Sequence, residues 1–126
     1  MWGIFSGSYS SIPPKIGSGS YADVRDIADL QIWAFENPKL SADERYLGVN
    51  GPGIPQAAAD ILHEVYPERR HIMPRGTPGD GYMPDHSWSP DSVSVSGDKA
   101  QKAMGRSWIP FKQSVLDTAK WFEQFV

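Results

Sequence analysis

Residues 21–36 read YADVRDIADLQIWAFE, and this stretch decides the fold class. A short extended start at Tyr21 leads into a helix expected from about Arg25 to Glu36, with Ile27, Leu30 and Ala34 at three-and-four spacing. Asp23, Asp26 and Asp29 stand near its start, where carboxylates meet the positive end of the helix dipole and can cap free N–H groups. Asn37-Pro38 ends it, because the residue before a proline avoids the helical region. Outward from this element, Arg45-Tyr-Leu-Gly-Val49 reads as a buried strand and Asn50-Gly-Pro-Gly53 as a turn. A second helix is expected over Pro55–Tyr66, with proline at its first position and Ala58, Ile61, Leu62 and Val65 as one apolar stripe. Ser92–Ser96 alternates Val93 and Val95 with serines, as a half-buried strand would. Asp98–Met104 reads as a short helix closed by Gly105. Phe111–Val126 reads as an amphipathic helix with Phe111, Val115, Ala119, Phe122 and Val126 on one face, widened by Trp121 and Phe125. The expectation is an α/β chain of three to four helices with two or three short strands.

The two ends of the map are less regular. Residues 1–20 (MWGIFSGSYSSIPPKIGSGS) defeat both helical and alternating periods and read as an irregular segment studded with apolar side chains. Residues 67–90 are rich in proline and glycine and have no period, which is long for a structureless connection and suggests a lid or binding loop. At 126 residues, one domain is expected over the whole chain.

Composition excludes several functions. Twelve Lys and Arg against fifteen Asp and Glu give a net charge of −3 without long runs of one sign, which argues against a nucleic-acid arm or a polybasic membrane anchor. The absence of cysteine removes thiolate chemistry and cysteine-ligated metals, and suits a reducing compartment. No long apolar run and no secretory start is present, so a cytoplasmic location away from membranes is expected. Twelve glycines and eleven prolines point to much loop, and five tryptophans need a core or a ligand to cover them.

Five pieces in order carry a resemblance: Tyr21-Ala-Asp-Val-Arg-Asp-Ile-Ala-Asp, Glu44-Arg-Tyr-Leu, Ala58-Ala-Asp-Ile-Leu, Gly97-Asp-Lys-Ala, and Met104-Gly-Arg followed by Pro110-Phe-Lys-Gln-Ser-Val-Leu-Asp-Thr. Over roughly residues 20 to 120 the chain resembles the C-terminal, substrate-binding part of extended short-chain dehydrogenase/reductases of the NAD-dependent epimerase/dehydratase superfamily. The nearest branch in appearance holds the ketone and aldehyde reductases related to dihydroflavonol and cinnamoyl-CoA reductases, fungal members included. The resemblance implies an α/β remnant without the Rossmann dinucleotide domain, whose machinery in that family lies upstream of where this sequence starts.

The residues agree with that implication. A dinucleotide site needs glycines that let backbone N–H groups approach a pyrophosphate at a helix N-terminus. Gly17-Ser-Gly19, Gly51-Pro-Gly53 and Gly76-Thr-Pro-Gly79 lack the spacing, and the two that contain proline lack a continuous row of donors. The family also uses a Tyr four residues before a Lys; four residues after Tyr9, Tyr21, Tyr46, Tyr66 and Tyr82 stand Pro13, Arg25, Asn50, Arg70 and His86. No cofactor is therefore expected on this stretch. As the resemblance implies, residues 1–20 and the Gly76–Pro90 loop would face a substrate. Trp2, Phe5, Tyr9, Tyr82, Met83 and Trp88 would then be its apolar contacts, or else merely plug the small core.

Asp85-His86 is the best cluster for proton transfer, since histidine titrates near neutrality and a carboxylate can orient it. The plainer reading of His86 is a solvated loop histidine. His63 pairs most simply with Asp60 one helical turn away, and His71 belongs to a charged helix end, Glu68-Arg-Arg-His. The three histidines are too scattered for a metal, and no serine sits in a nucleophile elbow. Two functions remain. One is a cofactor-independent isomerase or cyclase acting on an apolar, carbonyl-bearing secondary metabolite through Asp85 and His86. The other is a non-catalytic or truncated NAD(P)-dependent ketone or aldehyde reductase needing a partner that carries the dinucleotide domain. Either way Arg45–Val49 would be left as an open apolar edge, so a homodimer or a partner chain is expected to cover it.

Overall fold

The computed structural model describes residues 1–14 and 19–126. Gly17 and Ser18 of the first glycine cluster lie outside them. Six α-helices occur among the described residues: α1 (Trp2–Phe5), α2 (Val24–Glu36), α3 (Pro38–Ser41), α4 (Pro55–Val65), α5 (Asp98–Met104) and α6 (Phe111–Phe122). A two-stranded antiparallel sheet, β1 (Ser20–Tyr21) and β2 (Gly51–Pro52), pairs Ser20 with Pro52 and Tyr21 with Gly51. Short 3₁₀ turns follow α4 at Pro67–Arg69 and α6 at Glu123–Phe125.

The core is the meeting of α1, α4 and α6. Ile4 and Phe5 of α1, Ala58, Ala59, Ile61 and Leu62 of α4, Met73, and Val115 and Ala119 of α6 are buried together. Each large side chain so covered contributes about 1.5–3 kcal/mol of hydrophobic stabilisation. The expected stripe of α4 is the face that packs, save Val65 at its exposed end. In α6 the buried stripe runs through Phe111, Val115, Ala119 and Phe122. Trp121, Phe125 and Val126 do not extend it: they are 60%, 56% and 51% exposed, because α6 gives way to the 3₁₀ turn after Phe122.

Helix α2 is held by charge as much as by apolar contact. Asp23 caps it by accepting from Arg25 N at 2.9 Å, and the Arg25 guanidinium bridges Asp23 and Asp117 of α6, both at 2.8 Å. Asp26, fully buried, has Arg106 Nη1 2.7 Å from Oδ1 and accepts from Ile109 N at 3.0 Å, while Arg106 also reaches Asp29 at 2.7 Å. One arginine thus gathers two of the three acidic residues of the first turns. Helix α5 ends at Gly105 in the left-handed region at φ 69°, where glycine carries no Cβ penalty.

Four sequence expectations are corrected here. Residues 1–20 are not irregular throughout: Met1 O accepts from Ile4 N and Phe5 N and closes the single turn of α1. Arg45–Val49 is not a buried strand; Leu47 is 55% exposed, and Gly48 lies beneath Ile27 and Leu30 of α2. The strand falls instead inside the expected turn, because Asn50 N donates to Tyr21 O and Gly53 N to Gly19 O. Ser92–Ser96 finds no strand partner, and Val93 is 87% exposed. Two of the six helices, α1 and α3, are single turns that short periodic windows do not reveal, so the count exceeds three to four.

Removing Arg106 strands a buried carboxylate, so Arg106→Ala is expected to cost about 3 kcal/mol by urea unfolding, whereas Lys112→Ala, at the exposed Lys112–Glu64 pair, costs less than about 1 kcal/mol. The Arg25 guanidinium holds the Asp23 carboxyl well below the usual carboxylate range. That contribution is present above the unfolded pKa of about 4 and fades as pH falls through the lower folded value. Asp23→Asn is accordingly expected to flatten the loss of stability on acidification, read as unfolding midpoints between neutral and acidic pH.

Candidate functional site

The loop after α4 is tied to that helix through two side chains. Gln56 accepts from Thr77 N at 3.1 Å through Oε1 and donates through Nε2 to Arg75 O at 2.9 Å and to Asp60 at 2.8 Å. Asp60 Oδ2 then accepts from Gly79 N at 2.8 Å and from the Tyr82 hydroxyl at 2.7 Å. His63 does not pair with Asp60: its Nε2 stands 3.3 Å from Pro74 O, and Asp60 is taken up by the loop. His71 Nδ1 lies 2.9 Å from Glu68 O, within the helix-end group. An open cavity of about 770 Å³ lies over these anchors, lined by Asp60, His63, Glu64, Arg70, Arg75 and Tyr82 among others.

Beyond Tyr82 the chain turns back toward β2 and α6. His86 takes a positive φ of 58°, sparsely populated for a non-glycine residue. Its ring stacks on Tyr82 at 5.6 Å and leans on Phe111 at 5.2 Å. Asp85 does not turn to it. Asp85 Oδ1 accepts from Ser87 N at 3.1 Å, and this contact sets its carboxyl below the ordinary value. Burial pushes Tyr82 up to about 12, assisted by the Asp60 carboxylate, so the phenol stays protonated and donating at neutral pH.

The six apolar candidates fall into two groups. Tyr82, Met83 and Trp88 line one cavity of about 320 Å³, and Trp88 borders a second of about 370 Å³ together with His86. Trp2, Phe5 and Tyr9 stand apart at α1. Trp2 meets Phe122 edge-on at 5.1 Å, Phe5 is fully buried against Tyr66 at 5.1 Å, and Tyr9 lies over Gly3. The apolar cleft beside α1, about 260 Å³, is lined by Met1, Ile4, Tyr21, Ile54, Phe111 and others, and by none of those three.

Sequence reasoning did not single out Asn50 or Trp108. Asn50 Nδ2 donates to the Tyr21 hydroxyl at 2.8 Å and to Ile109 O at 2.7 Å, tying the sheet to the approach of α6. Trp108 is 7% exposed and borders the 370 Å³ cavity. An aromatic residue between Arg106 and Pro110 was the available signal, but it carries no period.

The described residues do not fit a nicotinamide dinucleotide. Helix α4 opens on Pro55, which has no N–H, α5 opens on Asp98, whose charge repels phosphate, and Gly97 is pressed against the Val49 carbonyl. Around Gly76 a Cβ would meet Gln56, so that glycine serves the loop anchor and leaves no cradle. Among the described residues no group of three or more His, Cys, Asp or Glu is placed to hold a metal, and no helix is long and apolar enough to cross a membrane.

Comparison with known proteins supplies the class. No family model matches the chain. It is 28% identical over 107 residues to the NADPH-dependent methylglyoxal reductase of Saccharomyces cerevisiae, covering 85% of this chain and 30% of that protein. It is 32% identical over 100 residues to an uncharacterized oxidoreductase of the same yeast, covering 79% and 27%. The crystal structure of yeast methylglyoxal/isovaleraldehyde reductase complexed with NADPH superposes with a TM-score of 0.74 at 25% identity, over 99% of this chain and 40% of that one. The chain is related to short-chain dehydrogenase/reductases of the NAD-dependent epimerase type, as the sequence motifs implied, and matches a C-terminal part of them. Among the curated relatives it spans 27% to 30% of their length.

Burial also pushes Tyr21 and Tyr66 up to about 12, as it does Tyr82. A raised phenol pKa favours the neutral folded form below the unfolded value of about 10 and loses that advantage as pH climbs through the folded one. In an absorbance titration of the folded chain, Tyr82→Phe is expected to remove one of the late-ionising phenols. Asp60→Ala, which frees two anchors of the loop, is expected to cost roughly 2–3 kcal/mol.

Proposed function

We propose that this chain is the substrate-side part of an NAD(P)-dependent ketone or aldehyde reductase, with the dinucleotide carried by other polypeptide. The observation that carries the reading is the match of about four-fifths of the chain to reductases, together with a TM-score of 0.74 to one complexed with NADPH. The Tyr82–Trp88 loop, pinned to α4 and facing cavities, suits a surface that receives a small carbonyl compound. The isomerase or cyclase reading gains no support: among the described residues Asp85 bonds to Ser87, and no relative points to such chemistry.

This reading is supported by what the surface leaves uncovered. Val24, Ile32 and Phe35 of α2 are 79%, 54% and 87% exposed, and Leu47 in the neighbouring segment is 55% exposed. Such a face asks for a cover. The polypeptide that bears the dinucleotide is the proposed cover, as a separate partner chain or a continuous one; a second copy of this chain is the rival.

A chimera tests both points, with this chain replacing the matching C-terminal part of the yeast methylglyoxal reductase. The expected result is NADPH-dependent reduction of methylglyoxal or another small ketone or aldehyde, while the 126-residue chain alone neither enhances NADPH fluorescence nor consumes it. A chimera that folds and binds NADPH but reduces none of a panel of carbonyl compounds sinks the proposal. In light scattering, the isolated chain is expected to self-associate through the α2 face and the chimera to lose that tendency; a strictly monomeric isolated chain would remove the argument for a cover.

A further inference from the structure

Two polar groups of this chain are left without partners, and both border the same cavity. Trp108 Nε1 and His86 Nδ1 are buried atoms that find no hydrogen bond in the structure. A buried donor without a partner costs free energy unless something fills the need. Both residues line the 370 Å³ cavity between the Val49–Gly51 segment, the His86–Trp88 turn and the start of α5. That volume is ample for a molecule of monosaccharide size or smaller.

The wall has a definite chemistry. Trp88 and Trp108 offer aromatic faces, Ser87, Ser94 and Ser96 offer hydroxyls, and Gln101 an amide. Asp98 is the charged side chain on the lining, so an anion is disfavoured and no cation is present to hold one. Aromatic faces beside neutral hydrogen-bonding groups suit ligands that alternate C–H faces with hydroxyls. His86 is also fixed for a purpose other than solvation: its ring is clamped between Tyr82 and Phe111 on a backbone at φ 58°, which settles where Nδ1 lies.

We propose that this cavity is a binding site for a small uncharged polyhydroxy compound, one of whose oxygens accepts from the Trp108 indole N–H while a hydroxyl meets His86 Nδ1. The site needs no dinucleotide and stands whether or not the chain serves a reductase. Its ligand sits against residues from four separate parts of the sequence, which the Asn50 bonds to Tyr21 and Ile109 hold in register.

Dihydroxyacetone is the probe, titrated into the isotopically labelled chain while the five tryptophan indole N–H signals are followed by NMR. The expected result is a saturable shift of the Trp108 signal, assigned by its loss in Trp108→Phe, and binding about tenfold weaker in that variant. His86→Phe keeps a ring between Tyr82 and Phe111, removes Nδ1, and is expected to weaken binding similarly; it serves also where Trp108→Phe does not fold. His63→Ala, on the other cavity, is expected to bind as the parent does. Absence of any saturable indole shift in the parent chain overturns the proposal, since solvent then satisfies the orphaned groups. Unchanged affinity in Trp108→Phe and His86→Phe overturns it as well, and so does equal loss in His63→Ala.

Discussion

The buried carboxylate of Asp26 is the constraint on which the arrangement of this chain depends. A charge with no exposed surface survives only when paired and hydrogen-bonded, and here the guanidinium of Arg106 and the amide of Ile109 do both. These partners come from the stretch between α5 and α6, so neutralising one residue of α2 fixes the path of the chain eighty residues later. Trp108 and Ile109 lie on that path. The walls of the 370 Å³ cavity and the anchor point for Asn50 follow from where it runs.

A second set of polar contacts does for the proline- and glycine-rich loop what apolar packing does for the helices. The loop has few side chains to bury, so Gln56 and Asp60 on α4 supply its order through hydrogen bonds to its backbone and to Tyr82. Tyr82 then carries His86 on its ring, and His86 rests on Phe111 at the head of α6. The candidate site is thus built outward from α4, one contact at a time.

How much of this the sequence disclosed depended on periodicity. Helices α2, α4, α5 and α6 were legible because their apolar residues recur at helical spacing and because Pro55, Gly105 and Asn37-Pro38 mark their ends. The short motifs were enough to place the chain beside reductases, since they occur in the right order. Strands were not legible: β1 and β2 are two residues each, and their pairing depends on the Asn50–Gly53 turn meeting Tyr21, a contact with no local pattern. The apolar run at Arg45–Val49 looked like a strand because it was read without α2 lying over Gly48. In the site, Tyr82 and His86 could be noticed as residue types, but their stacking could not be foreseen, and Trp108 had no signal beyond its size. The partner of Asp60 was misread for a related reason, as the helical neighbour His63 is nearer in sequence than Tyr82.

One oxygen of Asp60 holds both Gly79 and Tyr82, so the two flanks of Asp80-Gly81 are fastened to the same atom. Nothing crowds the position of a Cβ on Gly79 or Gly81. A peptide spliced between residues 80 and 81 would begin and end at a single clasp, leaving the rest of the loop undisturbed. This makes the loop tip a natural place for an epitope tag or a reporter.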